Sequence, residues 1–166
     1  MKSYNSEEFD AWWAEYENRP IFPITDRFEV PEDARIFVTP LTRTQETARQ
    51  FLGREDFTIV EGLANEIPLR SFMDTKLKMK LGFLNFMGRL QWYFPGWRQE
   101  ECRRQSFERA KKLVRFLESQ NAETCVMVMH GFMIRTVGRA LSRLGYKVKN
   151  KRIFAVPNLC IVEGTK

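Results

Sequence analysis

Apolar positions recur three and four residues apart over residues 6–18, where Phe9, Trp12, Trp13 and Tyr16 fall on one helical face. Ser6 reads as the N-cap, Glu7 and Glu8 suit the first turn, and Pro20 and Pro23 end the helix. Residues 21–34 read as an acidic loop. Ile36-Phe37-Val38 is a compact apolar run and predicts a buried strand. A helix at about 42–52 follows, with Ala48, Phe51 and Leu52 inward and Gly53 at its C-terminal cap. Phe57 to Val60 predicts a second strand, residues 61–72 are irregular, and 74–94 read as helix in one or two pieces, ended by Pro95-Gly96. Residues 100–120 carry the clearest amphipathic pattern, through Phe107, Ala110, Val114 and Leu117. Cys125 to Met129 is apolar throughout, as expected of a strand buried on both faces. A helix from Phe132 carries Ile134, Val137, Leu141 and Leu144 inward and is capped by Gly145; a last strand is expected at 159–162. Strands alternating with helices predict an α/β fold, three layers around a mostly parallel sheet, in a single domain over 1–166.

Composition narrows the chemistry. The chain has 166 residues and only one histidine, His130, so a metal site needing several histidines is excluded and no metal or cofactor is expected. Three scattered cysteines, Cys102, Cys125 and Cys160, without a C-x-x-C pair, read as reduced thiols. The polar start at Met1 gives no signal peptide, and the most apolar window, 81–97, is too short and too polar to span a bilayer. A cytoplasmic protein is expected. The formal net charge of +6 favours anionic partners, most simply phosphate esters. No nucleic-acid motif accompanies the charge, so no nucleic-acid partner is expected.

Two polar residues stand at matching places. Arg43 follows the strand at 36–38 and opens a helix. His130 follows the strand at 125–129 and does the same. In an open parallel sheet both turns lie at the carboxyl ends of the strands, the edge where such sheets bind ligands. Arg43 and His130 are therefore expected to share one crevice. Helix N-termini behind them suit an anion, and the planar fork of Arg43 suits two phosphate oxygens.

Thr39-Pro40-Leu41-Thr42-Arg43-Thr44-Gln45-Glu46-Thr47-Ala48 resembles the S-P-L-x-R-x-x-x-T-A signature of the histidine phosphatase superfamily, the phosphoglycerate-mutase-like fold, with Thr39 in place of the usual Ser. Val126 to Gly131 is similar to that family's strand ending in His-Gly, and Asn65-Glu66-Ile67-Pro68-Leu69 to the segment carrying its acid. The resemblance runs from about residue 35 to 145. It implies that Arg43, Thr39 and Gly131 bind the phosphoryl group of a small phosphorylated substrate, that His130 donates to a phosphate oxygen, and that Glu66 protonates the leaving oxygen.

One family motif is missing. The resemblance calls for a first, central strand ending in Arg-His-Gly, whose histidine is the nucleophile, and this sequence has no such segment. Each apolar side chain of that strand would contribute ~1.5–3 kcal/mol, so its loss is comparable to the stability of a whole domain. Three remedies present themselves: a natural start upstream, which is favoured; filling of the gap by Ile21-Phe22-Pro23-Ile24; or a second copy completing the sheet as a homodimer. The expected function is that of a phosphomonoester hydrolase, inactive as this polypeptide; the alternative is a non-catalytic phosphate-binding or regulatory protein. Residues 76–98 interleave Lys and Arg with aromatics. They are expected to form a helical cap that shapes substrate choice, with contact to a membrane surface as the lesser alternative.

Overall fold

A computed structural model describes residues 2–150 and 158–166. The elements in chain order are β1 (Ser3–Tyr4), α1 (Ser6–Glu17), β2 (Arg35–Val38), α2 (Thr42–Thr47), β3 (Phe57–Ile59) and β4 (Met79–Lys80). Then come α3 (Leu81–Gln91), α4 (Arg103–Glu118), β5 (Cys125–Val128), α5 (Gly131–Arg143), β6 (Lys147–Lys149) and β7 (Glu163–Thr165). They fall into two compact units, one of residues 1–19 and 67–106, the other of 20–66 and 107–166.

The larger unit is α/β. Its sheet runs in the order β3-β2-β5, and both pairings are parallel. The central strand pairs Ile36 with Phe57 and Val126, and Val38 with Ile59 and Val128. Ile36, Phe37 and Val38 are all buried, as a compact apolar run in the middle of a sheet should be. Leu113 and Val114 on α4 and Met133, Val137 and Ala140 on α5 supply more of this unit's buried apolar side chains. Phe116 meets Phe37 edge to face, with ring centroids 5.7 Å apart. Helix α2 passes into a wide π-helical turn at 48–52, which closes on Gly53 in the left-handed conformation (φ 65°) expected of a C-terminal cap.

Two expectations for this unit need correction. Strand β5 is half-buried along its whole length rather than enclosed, because among the described residues only β2 pairs with it. Its continuous apolar character is that of an inner strand, yet it forms a sheet edge. The last strand is not at 159–162. Residues 158 and 159 turn, with Leu159 at φ 59°, and β7 pairs antiparallel with β6 in a separate ribbon. Nor does Ile21-Phe22-Pro23-Ile24 fill a gap in the sheet: it forms no strand and Phe22 is 91% exposed. Its backbone is held instead by side chains of the following helix, Ile21 N–H donating to Glu46 and Ile24 N–H to Gln50.

The smaller unit is built on α1 and α3. Asn5, not Ser6, caps α1: its side chain accepts from the Glu8 N–H while the Glu8 carboxylate accepts from the Asn5 N–H. The Ser6 hydroxyl sits one residue further on and donates to Thr75 O. Residues 76–80 are not helical. Lys76-Leu77-Lys78-Met79-Lys80 alternates with a period of two, a strand signal, and β4 pairs antiparallel with β1. Phe9, Leu69 and Leu84 form the core here, with Tyr4, Trp13 and Phe72 against it. The irregular stretch 67–71 keeps its carbonyls satisfied by side chains: Arg89 donates to Ile67 O, Gln91 to Arg70 O, and Gln99 to Pro68 O.

Gly88 makes that close approach practicable. A Cβ on Gly88 would stand 2.6 Å from Leu69 Cδ1 and 2.9 Å from the backbone oxygen of Arg70, while one on Gly82 would meet nothing within 4 Å. Gly88→Ala is therefore expected to lower stability by about 1–3 kcal/mol. Gly82→Ala on the same helix should raise it by up to about 1 kcal/mol. Denaturant titration of both variants checks the pair, and equal effects would remove the steric explanation.

Candidate active site

The site is built where β2 and β5 end. Residue 39 follows β2 directly, and its side chain is fully buried. His130 lies just beyond β5 and is the N-cap residue of α5, with extended backbone (φ −90°, ψ 156°) and 6% exposure. Because β2 and β5 are parallel and in register, their carboxyl ends bring residues 91 positions apart together. Thr39 Oγ1 lies 3.2 Å from His130 Nε2 and 2.9 Å from Thr44 Oγ1. The Thr44 hydroxyl donates to Leu41 O at 2.8 Å. Thr39 O is a second carbonyl within reach of that hydroxyl, at 3.0 Å. With the Thr44 proton on either carbonyl, Thr39 donates to Thr44 Oγ1 and His130 Nε2–H donates to Thr39 Oγ1, the arrangement adopted for the proposal below.

Arg43 reaches the same place from the first turn of α2. It is half-buried, and its charge acts on the imidazole. Burial first, and the Arg43 guanidinium second, push the pKa of His130 down to about 4. The ring is thus neutral at pH 7, a hydrogen-bond donor without a full charge. The stability consequence has a definite sign. An unfolded chain takes up the proton near the ordinary value of 6.5, the folded chain only near 4. Between those values the unfolded state binds more protons, so stability falls as the pH falls through that window, by about 3 kcal/mol, and this contribution is complete above it. Acid titration of the folded fraction should show the loss, and His130→Gln should flatten the slope over the same window.

Glu66 also comes to this end of the sheet. Its carboxylate oxygens accept from the N–H groups of Phe132 and Met133, at 3.1 and 3.0 Å, in the first turn of α5. A carboxylate there suits the positive end of the helix. The α5 N–H groups that the sequence offers to a phosphate are therefore held by an internal anion. Gly131 is the first residue of α5.

Two contributors escape a reading of the sequence. Thr44 anchors the hydroxyl relay, but a threonine between Arg43 and Gln45 carries no separate signal. Arg109 looks like one more cation on the polar face of α4, yet its Nη1 donates to the carbonyls of Gly62, Leu63 and Asn65, at 3.2, 3.1 and 2.7 Å. It thereby ties down the loop that ends in Glu66. A cavity of ≈ 330 Å³ lies at the opposite, amino-terminal ends of β2 and β3, among Arg35, Arg54, Asp56 and Gln120. It shares no residue with the site, and its Arg54 and Asp56 are already paired at 2.6 Å.

Among known protein families, the model described as histidine phosphatase superfamily (branch 1) matches residues 24–165. That span takes in Thr39, Arg43, Glu66 and His130. No curated protein and no solved structure matches the chain.

Proposed function

Since the chain belongs to the histidine phosphatase superfamily, branch 1, we propose that it binds the phosphoryl group of a small phosphorylated compound between Arg43, Thr39 and His130. Membership carries a phosphatase-like function at the level of the superfamily; the residue roles belong to this proposal. The observation that bears most weight is the joint one at His130: a buried imidazole 3.2 Å from the Thr39 hydroxyl, under the field of Arg43. Such a set offers a guanidinium fork and a ring N–H to one oxyanion. Phosphate arriving there supplies the acceptor that Nε2–H now finds in Thr39, and its charge offsets that of Arg43.

Glu66 is proposed as the acid that protonates the leaving oxygen. Both its oxygens accept from α5 N–H groups, so this role has Glu66 exchanging at least one of those bonds when substrate enters. Gly131 contributes close approach of the backbone. The superfamily reaction resembles a two-step transfer through a phosphohistidine. The single histidine of this polypeptide stands in the motif that resembles the family's second, non-nucleophilic one, so we propose that these 166 residues bind phosphomonoesters without turning them over at an appreciable rate. A non-catalytic, phosphate-sensing role is the second reading, favoured by that same histidine count. Calorimetric titration with inorganic phosphate and with a small phosphomonoester tests the binding claim. Saturable heat with both is expected, and its absence with both would sink the reading.

A further inference from the structure

The smaller unit leaves several large apolar side chains exposed. Of the large hydrophobic residues exposed in the described structure, Leu77, Phe83, Phe86, Tyr93, Phe94 and Trp97 all come from one 21-residue stretch, at 43–69% exposure. Phe83 and Phe86 are three apart on α3, on the side away from the buried Leu84, Gly88 and Gln91. The chain beyond α3 continues the outward set: Phe94 and Trp97 lie edge to face, 6.1 Å between centroids, and Tyr93 stacks under Arg103. Charge accompanies the aromatics. Residues 75–99 hold five cations, Lys76, Lys78, Lys80, Arg89 and Arg98, and no Asp or Glu. Lys78 is paired with Glu8 and Arg98 with Asp74, both across to other segments. Lys76 and Lys80 are exposed at the start of α3 and enter no ion pair among the described residues.

We infer that this face docks on a lipid surface containing anionic headgroups. Three properties select that occupant. Short amphipathic helices with aromatics on one side and Lys beside them lie in the boundary between headgroups and acyl chains, with the cations at the phosphate level. Tyr and Trp favour that boundary. A second copy of the chain docking face to face would gather Lys76 and Lys80 of both copies into one interface with no Asp or Glu from residues 75–99, which like-charge repulsion opposes. No described helix is long and apolar enough to cross a membrane, so the contact is one of lying on the surface.

Co-sedimentation of the full chain with vesicles tests this. Vesicles of phosphatidylcholine with one-third phosphatidylserine should bind it at low salt, pure phosphatidylcholine at least tenfold more weakly, and salt near ~0.5 M should release it. Lys76→Ala with Lys80→Ala should weaken binding roughly thirty-fold. Phe86→Asp with Phe94→Asp should weaken it at least ~100-fold. All four positions are exposed, so circular dichroism should stay unchanged, and phosphate affinity should be untouched. Lack of sedimentation with the anionic vesicles at low salt would overturn the inference. So would binding indifferent to the Phe substitutions, or a lipid-free dimer that those substitutions dissolve.

Discussion

Incubated with an aryl phosphomonoester, the purified polypeptide is expected to release phosphate on the order of 10⁶-fold more slowly than a superfamily member that carries the Arg-His-Gly strand. That figure is the scale of loss when a nucleophile is taken out of a concerted catalytic set. His130 is not expected to stand in for it: its Nε2 lies 3.2 Å from the Thr39 hydroxyl, its backbone caps α5, and burial with the Arg43 charge keeps the ring neutral. Being the only histidine, it makes the test unambiguous. Mass spectrometry after exposure to substrate should find no phosphohistidine, and turnover should not change on His130→Ala. Brisk hydrolysis, or a phosphorylated His130, would show that the ring is available as a nucleophile after all.

Arg43→Ala carries the second large effect. Truncating one partner of a buried, charge-assisted contact costs about 2–5 kcal/mol, or roughly thirty- to several thousand-fold in affinity. Phosphate binding should therefore fall below detection in the millimolar range. Arg43→Lys keeps the charge but loses the planar fork, and an intermediate loss is expected. A second readout separates this from mere disruption. Removing the guanidinium removes one of the two causes that depress His130, so its pKa should rise from about 4 while burial still holds it below the ordinary value. A variant that loses phosphate affinity without moving His130 would place Arg43 away from the ring.

How far the sequence alone reaches is clearest strand by strand. The strand β2 was legible because Ile36-Phe37-Val38 is short, wholly apolar and bounded by Arg35 and Thr39. The common edge was legible for the same reason: Arg43 and His130 each follow such a run at the start of a helix, and β2 pairs parallel with β5. Lys76 to Lys80 is composed of good helix formers although it alternates, and pairing of Met79 and Lys80 with β1 starts the helix at Leu81 instead. The strand near the C-terminus was misplaced because Leu159 to Val162 is apolar, whereas Leu159 turns with positive φ and the ribbon forms later. Polar contacts were hardest to foresee. That Glu66 would close on the N-terminus of α5, and that Arg109 would clamp three carbonyls, depends on long-range geometry that no local pattern encodes.

Strand β5 leaves one edge open among the described residues. A strand with the composition of an inner strand has a partner on one side only among the described residues. Such an edge favours pairing with another extended segment. The proposed phosphate-binding residues do not depend on it, because Thr39 follows β2, Arg43 and Thr44 lie on α2, and His130 follows β5.

The single imidazole gives the most direct measurement. Nuclear magnetic resonance of the His130 ring, followed against pH with and without inorganic phosphate, reports both its tautomer and its proton affinity. The account predicts an Nε2–H ring with a pKa near 4 in the free protein. Saturating phosphate should shift the ring signals and raise that pKa, and Arg43→Ala should abolish the response. Ring signals indifferent to phosphate, with an ordinary pKa near 6.5, would contradict the claim that Arg43 and His130 face one bound oxyanion.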